Sequence, residues 1–414
     1  MRKSYIVLSL LLTMGLVFAS CGKATPTTTK ATIPPTTLAP TTTVKASTPV
    51  PTTAPKTATA PKLLTWATLD VGSSSYNMTA QGGEAVRDKT GVPVRIIPVG
   101  NDLGRVTLAR SGSVQMVTLS DGGYLVREGI QDYANRAWGP QRMRMLYQLN
   151  GGSANGAIVR GNSKFNTASD LKGAKIPFVL GLPGHNQGVE AVLAFGGLTW
   201  ADVTRVELPS YAASLDAVID GKTDIYYGAP NSAGTLRIST GPGGVRYLPL
   251  PRADKEGWKR FNAVSPAALP STVTEGPGLS AANPYEGTAQ PQLMDAYDFL
   301  DDDIAYFTTK AWAESSSIYK ARGGRLAFGD LQYVLDVVGI VRFAFHPGSI
   351  KYFKEVGKWT PQLEAWNSKV LEREAKLLKA WEACLAEADA SKLTEDKLPA
   401  LWDKYRKDIP MIQP

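Results

Sequence analysis

Two hydrophobic rhythms take turns along most of this chain, one of strand length and one with helical spacing. Leu63 to Leu69 reads as a strand, Gly72-Ser73-Ser74-Ser75 as the turn after it, and a helical pattern runs on through Ala85 to Lys89. Val92 to Pro98 is the next strand and Asn101 to Ser111 a helix that Gly112 ends. Val114 to Leu119 is a short apolar strand closed by Ser120-Asp121-Gly122-Gly123. The alternation resumes with a strand from Gly156 to Arg160, a helical turn over Ser169 to Gly173, and a strand from Lys175 to Leu180. A Gly-rich turn, Gly181 to Gly188, then leads into a helix from Val189 to Gly196. Val206 to Leu208, a helix over Ala212 to Asp220 and the strand Thr223 to Tyr227 follow. Strands alternating with helices predict an α/β fold built on mainly parallel sheet, with ligand loops at the carboxyl ends of the strands. Two sets of such units joined by extended crossings predict two lobes with a cleft between them.

The ends break the rhythm. Arg2 and Lys3 precede an apolar run, Tyr5 to Phe18, that stops at Ala19-Ser20-Cys21. A charged start, a short apolar stretch and small residues at the exit describe an export signal, too short for a stable membrane span. Phe18-Ala19-Ser20-Cys21 resembles a bacterial lipobox, so cleavage is expected before Cys21, whose thiol then carries a diacylglyceryl group. Gly22 to Pro61 is mostly Thr, Pro, Ala and Lys without one acidic or aromatic residue, a composition that cannot offset its ordering entropy. Residues 21–62 therefore read as a lipidated, Pro-stiffened tether that holds a domain near a bilayer. At the other end, Leu363, Trp366, Val370, Leu377, Trp381 and Leu385 recur among Lys and Glu at near-helical spacing. A second helix starts at Thr394-Glu395-Asp396, with Leu398, Leu401, Trp402 and Tyr405 on one side. The pair is expected to pack on the chain's own lobes, with dimerisation or docking to a membrane subunit as the sharper alternative.

Charge changes the picture only after this partition. The formal net charge is +8, but seven unopposed cations lie at or before Lys62, which leaves +1 for the rest. The basic balance thus belongs to signal and tether and makes no case for nucleic acid. With Cys21 lipidated, Cys384 is the remaining thiol, so no intrachain disulfide is expected. The chain has only two histidines, no Gly-x-Ser-x-Gly elbow, and no P-loop ending, since His185-Asn186-Gln187 stands where Lys-Ser or Lys-Thr would be needed. Asp301-Asp302-Asp303 reads as a solvated face or helix start. Neither an enzyme nor a nucleotide, metal or redox cofactor is expected.

Several short motifs occur in order. They are Gly72-Ser73-Ser74-Ser75-Tyr76, Arg110-Ser111-Gly112 with Ser120-Asp121 beyond it, Asp170-Leu171-Lys172-Gly173, and Leu180-Gly181-Leu182-Pro183-Gly184. Ser210-Tyr211 leading to Asp220-Gly221-Lys222-Thr223-Asp224, and His346-Pro347-Gly348-Ser349-Ile350-Lys351-Tyr352, complete the set. Together they resemble the TAXI family, the extracytoplasmic solute receptors of TRAP transporters, over roughly residues 63–357. The resemblance implies a two-lobed type II periplasmic-binding-protein fold, here with a C-terminal helical extension. With the signal (1–20), the tether (21–62) and the extension (359–414) outside it, the chain divides further into a first lobe (63–155, returning at 295–358) and a second lobe (156–294). The resemblance also implies a small carboxylate solute, such as glutamate or 2-oxoglutarate, handed to TRAP membrane subunits that carry the coupling ion. A lipid-anchored ligand sensor on the same fold is the alternative.

The loops suit that task chemically. A strand-turn-helix junction presents unpaired backbone N–H groups at the positive end of a helix dipole. Ser73, Ser74, Ser75 and Tyr76 form one such junction on the first lobe, and Gly184, His185, Asn186 and Gln187 are expected to face it from the second. The dipole disfavours a charged imidazole there, so His185 is expected to be neutral, either at the solute or simply capping its loop. Tyr211 and the segment Tyr226-Tyr227-Gly228-Ala229-Pro230-Asn231 are further candidates, placed by the resemblance at strand ends facing the cleft. Ser120 and Asp121 either contact solute or cap a helix starting near Gly123. Pro284-Tyr285-Glu286-Gly287 is placed near a lobe crossing, and His346-Pro347-Gly348 is read as a structural helix start.

Membrane attachment is expected to depend on Cys21. In a bacterial host, Cys21→Ser should move from the membrane pellet to the soluble fraction and lose the lipid mass; retention of both variants in the pellet, with no lipid on either, contradicts the reading. Two or more acyl chains are needed for stable retention, since one binds only marginally.

Overall fold

The computed structural model describes residues 60–149, 154–266, 268–289, 292–321 and 343–412. Cys21, the signal and nearly all of the tether lie outside the described residues. The first lobe is laid down as β1 (Leu64–Thr68), α1 (Ser74–Thr90), β2 (Val94–Pro98), α2 (Asp102–Arg110), β3 (Met116–Leu119), α3 (Asp121–Glu128) and β4 (Met143–Leu149). The second holds β5 (Ala154–Arg160), β6 (Lys175–Val179), α4 (Pro183–Phe195), β7 (Thr204–Leu208), α5 (Tyr211–Ile219), β8 (Tyr226–Gly228), α6 (Ala233–Ser239), β9 (Val245–Tyr247), α7 (Lys255–Val264), β10 (Leu269–Val273) and β11 (Tyr285–Ala289). The chain then returns through β12 (Gln292–Tyr297), α8 (Asp302–Glu314), α9 (Ser316–Ala321) and α10 (Pro347–Glu355). The extension is α11 (Pro361–Ala390) and α12 (Leu398–Lys407). The fold is thus mixed α/β with two sheet-centred lobes and a C-terminal helical pair.

The first sheet has the order β2-β1-β3-β12-β4. β1 pairs in parallel with β2 and β3, whereas β12 runs antiparallel to β3 and β4. Buried strands joined through helices are apolar along most of their length, and Leu64, Trp66 and Ala67 of β1 are fully buried. Trp66 stacks on Trp312 of α8 with ring centroids 5.1 Å apart, which ties the returning segment to the first strand. Gly82 of α1 makes room for that pair, because a Cβ there would stand 2.0 Å from the Trp312 ring.

The second lobe departs from the mainly parallel expectation. Its larger sheet, β10-β11-β5-β8 with β9 also on β5, is antiparallel throughout, and parallel pairing is confined to β6 and β7. Apolar periodicity marks a strand but not the direction of its partner. β8 and β9 both return to β5, and so pair with it head to tail.

Several predicted helix starts are present. Asp301 caps α8 through Asp303 N and Ile304 N. His346 caps α10, its Nδ1 accepting from Gly348 N at 3.2 Å, with Pro347 in the first turn. Thr360 caps the 30-residue α11. α11 and α12 fold against each other and against Ala134, burying Leu377, Trp381, Leu398, Leu401 and Trp402. Among the described residues no helix is long and apolar enough to cross a membrane.

Glu128, at the carboxyl end of α3, anchors the extension to the first lobe. Its buried carboxylate accepts from Arg373 at 2.5 and 3.0 Å and from Arg406 at 3.3 Å, while its carbonyl accepts from Trp402 Nε1 at 3.1 Å. Arg144 and Glu374 add a two-bond pair at 2.7 and 2.8 Å. Removing one member of such a pair strands the other's charge away from water. Glu128→Ala should therefore lower unfolding stability by about 3 kcal/mol in a urea titration, with Glu128→Gln intermediate; a loss under about 0.5 kcal/mol would mean that the pair is solvated like a surface bridge.

Candidate functional site

The loops at the carboxyl ends of β1, β2 and β3 meet the helix starts of the second lobe. Leu103 N donates to Gly181 O at 3.1 Å and Gly184 N to Asp102 Oδ2 at 3.2 Å. Tyr211 N donates to Gly100 O at 3.1 Å, Ala212 N to Asp70 Oδ2 at 3.0 Å, and Gly234 N to Gly72 O at 3.2 Å. The first N–H groups of a helix have no partner within it. Here oxygens of the first lobe supply acceptors at the starts of α4, α5 and α6. The lobes are shut on each other.

Between them lies a cavity of about 550 Å³, including the part open to solvent. The first lobe contributes Ser73, Ser74, Ser75, Ser120 and Gly122, with Asp102, Arg105 and Gln292. From the second come Asn155, Leu182, Gly184, His185, Tyr211, Tyr227 and Gly228.

Ser73 caps α1, its Oγ accepting from Tyr76 N at 3.0 Å. Ser75 Oγ donates to Gln292 Oε1 at 2.7 Å, and Gln292 Nε2 donates in turn to Ser120 Oγ. This amide joins the starts of α1 and α3 to β12. Ser120 occupies the cap position of α3 without a side-chain capping bond, and the helix begins at Asp121 rather than near Gly123. The Ser120 hydroxyl is committed to Gln292 instead.

The Gly-rich stretch is not a turn followed by a helix at Val189. α4 begins at Pro183, whose preset φ suits a first helical position. Its glycines serve close approach. A Cβ on Gly184 would stand 2.5 Å from Gly122 N of the other lobe, and one on Gly188 would meet the Tyr227 ring at 2.5 Å. Asn186 clips the helix to β6, donating to Val179 O at 2.8 Å and accepting from Val179 N at 2.9 Å. Gln187 donates to Val264 O at 3.0 Å. Both side chains are thereby used in the second lobe's own framework, and neither residue lines the cavity; Tyr76 and Asn231 are likewise outside the lining.

His185 does line it, as a residue of the first turn rather than a loop cap. Its ring stands edge-on to Tyr211 and Tyr227, with centroids 5.6 and 5.5 Å away, and Nδ1 is 3.4 Å from Asn186 Oδ1. Nε2 has no hydrogen-bond partner among the described residues. Burial pushes the imidazole from its ordinary 6.5 down to about 4, opposed less strongly by the Asn186 side chain and the Tyr227 backbone. Tyr226 donates to the Tyr211 hydroxyl, and burial pushes Tyr211 up to about 12. Around neutral pH the second-lobe face is uncharged, which agrees with the neutral His185 expected from the helix start.

Asp102, Arg105, Asn155 and Gln292 are cavity residues that were not among the candidates singled out from the sequence, whereas Tyr227 belongs to the candidate segment 226–231. Asp102 and Arg105 are spaced i, i+3 on α2, a pattern that ordinarily signals a surface pair. Gln292 has no local signature, since its position follows from β12 inserting between β3 and β4. Among the described residues no cluster of His, Cys, Asp and Glu is arranged to hold a metal ion. The cavity can hold a small polar molecule by hydroxyls, amides and helix N-termini.

The unfolded chain takes up a proton on His185 near pH 6.5 and the folded protein only near pH 4. Stability is therefore expected to fall as pH drops through that window, by about 3 kcal/mol at pH 4. His346, also lowered by burial, acts in the same direction. Urea midpoints of the parent and His185→Gln at about pH 7 and pH 4.5 should show the smaller loss in the variant; equal losses would mean that the ring is accessible to protons in the folded state.

The chain matches the NMT1-like family over residues 106–357. No curated protein matches it. Similar solved structures include a protein from Bordetella bronchiseptica RB50, 17% identical, covering 73% of this chain and 90% of that one with a TM-score of 0.43. The alkanesulfonate-binding protein SsuA from Xanthomonas axonopodis pv. citri, bound to MOPS, is 19% identical over 81% of this chain and 95% of its own, with a TM-score of 0.38. PhnD1 from Prochlorococcus marinus (MIT 9301), in complex with methylphosphonate, is 12% identical over 72% and 100%, with a TM-score of 0.41. Likeness at this level says nothing about what the present cavity takes. The family match spans more than half of the 414 residues, and the chain belongs to the NMT1-like family.

Proposed function

We propose that this chain is an extracytoplasmic solute receptor that closes two lobes over a small carboxylate-bearing solute and delivers it to a TRAP-type membrane transporter. The observation that carries the binding half is the cavity between the lobes, where helix starts from both lobes converge with serine hydroxyls. Helix N-termini favour anions, and hydroxyls and amides fix their orientation. In this reading the solute's carboxylate rests on the first lobe, at the start of α1, contacted by Ser73, Ser74, Ser75 and Ser120. His185 and Tyr211 cover it from the second lobe. Binding rather than catalysis fits the partners of these groups: Ser75 donates to an amide, and His185 Nδ1 faces Asn186 rather than a hydroxyl.

Delivery to TRAP subunits is supported by the ordered motif set between Gly72 and Tyr352, and lipid tethering by the residues around Cys21. No nucleotide, metal or redox cofactor enters the reading.

A thermal-shift screen of monocarboxylates, dicarboxylates, 2-oxo acids and acidic amino acids tests it. A ligand at a hundredfold excess over its dissociation constant adds about 2.7 kcal/mol of stability, enough to move the midpoint by several degrees. Ser75→Ala and His185→Ala should each weaken that ligand by about 1–3 kcal/mol in calorimetric titration. Silence across the whole panel, or parental affinity in both variants, would contradict a carboxylate held in this cavity.

A further inference from the structure

Asp102 belongs to the first lobe, yet one of its oxygens caps a helix of the second. Oδ2 accepts from Gly184 N, in the first turn of α4, at 3.2 Å. A Cβ built on Gly122 would come within 2.6 Å of that same oxygen, so the carboxylate sits where the starts of α3 and α4 meet. Oδ1 holds Arg105 Nη2, while Arg105 Nη1 donates to Thr118 O. Both side chains are buried, Asp102 at 2% exposure and Arg105 at 4%, and both line the cavity. Among the described lining residues they are the charged side chains, since His185 is held neutral by burial.

The start of α4 is a site where an anion is favoured. Here the chain's own carboxylate already fills it. The same carboxylate neutralises the cavity's cation, Arg105. A solute with two carboxylates would have to place its second one beside a buried anion, and among the described lining residues the cation, Arg105, is already paired with that anion, with only its Nε left without a partner. The rest of the second-lobe face, made of Leu182, His185, Tyr211 and Tyr227, suits an uncharged group.

We propose that Asp102 is the specificity-determining residue of the cleft, a built-in anion that restricts the solute to a single carboxylate with an uncharged remainder. This rests on the receptor reading above and narrows its solute from dicarboxylates, which the family resemblance suggests, to monocarboxylates. The start of α1 holds the one carboxylate. Asp102 occupies the place that a second would need.

Matched acids of equal chain length test the proposal by calorimetry on the purified chain: butyrate against succinate, pentanoate against glutarate, 2-oxopentanoate against 2-oxoglutarate. The parent should bind the better monocarboxylate at least tenfold more tightly than its dicarboxylate partner. Asp102→Asn keeps the size and an acceptor for Gly184 N but removes the charge and releases Arg105. In that variant the ratio should shift toward the dicarboxylate by at least tenfold, a change that loss of packing alone would not produce. Asp102→Ser takes its place if Asp102→Asn does not fold, with the same shift expected, and Asp102→Glu should retain the parental preference. Tighter binding of dicarboxylates by the parent overturns the proposal and leaves the carboxylate reading standing, as does a ratio unchanged in Asp102→Asn. Binding of neither class overturns both.

Discussion

At three helix starts of the second lobe, N–H groups that have no partner within their own helix find acceptors on the first lobe. α5 shows this most fully: Tyr211 N goes to Gly100 O, Ala212 N to Asp70 Oδ2, and only Ala213 N to the helix's own cap, Ser210 Oγ. α4 and α6 each donate across the same boundary, to Asp102 and to Gly72. A buried helix end without acceptors is unfavourable, and a carboxylate is the acceptor that best matches the dipole. Closure therefore satisfies the ends of three elements together. The cavity is the space that these contacts enclose.

That arrangement constrains side-chain size. Gly122 and Gly184 bring the starts of α3 and α4 so close that a Cβ on Gly184 would stand 2.5 Å from the opposing backbone nitrogen. The residues beside them are consequently divided between building and facing the cavity. Asn186 substitutes for a backbone partner of β6, while its neighbour His185 is left between two tyrosine rings. Adjacent positions on one helix have different tasks because they point in directions about a hundred degrees apart.

α3 gives the cleft a connection to the far side of the first lobe. Its start, at Ser120 and Gly122, lines the cavity, and its end, at Glu128, binds Arg373 and Arg406 of the extension. Trp402 Nε1 also takes the Glu128 carbonyl, one of the last acceptors of α3. The extension thus satisfies one end of the helix whose other end faces the cavity. The amphipathic stripe of α11 and α12 is covered by this packing, with Trp381 and Trp402 edge to face at 5.1 Å.

Much of this was readable from residue order. Strand and helix alternation, the two-lobed α/β class, the helical pair after Thr360 and the caps at Asp301 and His346 follow from local periodicity and local hydrogen bonding, which act within a few residues of the chain. Ser73, Ser74, Ser75, Ser120, Gly184, His185 and Tyr211 were also readable as cleft residues, because strand-to-helix junctions lie at one end of such a sheet. The antiparallel pairing of the second sheet was not readable, since a strand's apolar pattern is the same whichever way its neighbour runs. Nor were the tasks of Asn186, Gln187 and Gln292, whose partners lie 7, 77 and 217 or 172 residues away. Asp102 is the clearest case: beside Arg105 in sequence it resembles an ordinary pair on an exposed helix. Only lobe closure buries that pair and sets its carboxylate at the start of α4, because the acceptor and the helix it caps lie on different lobes.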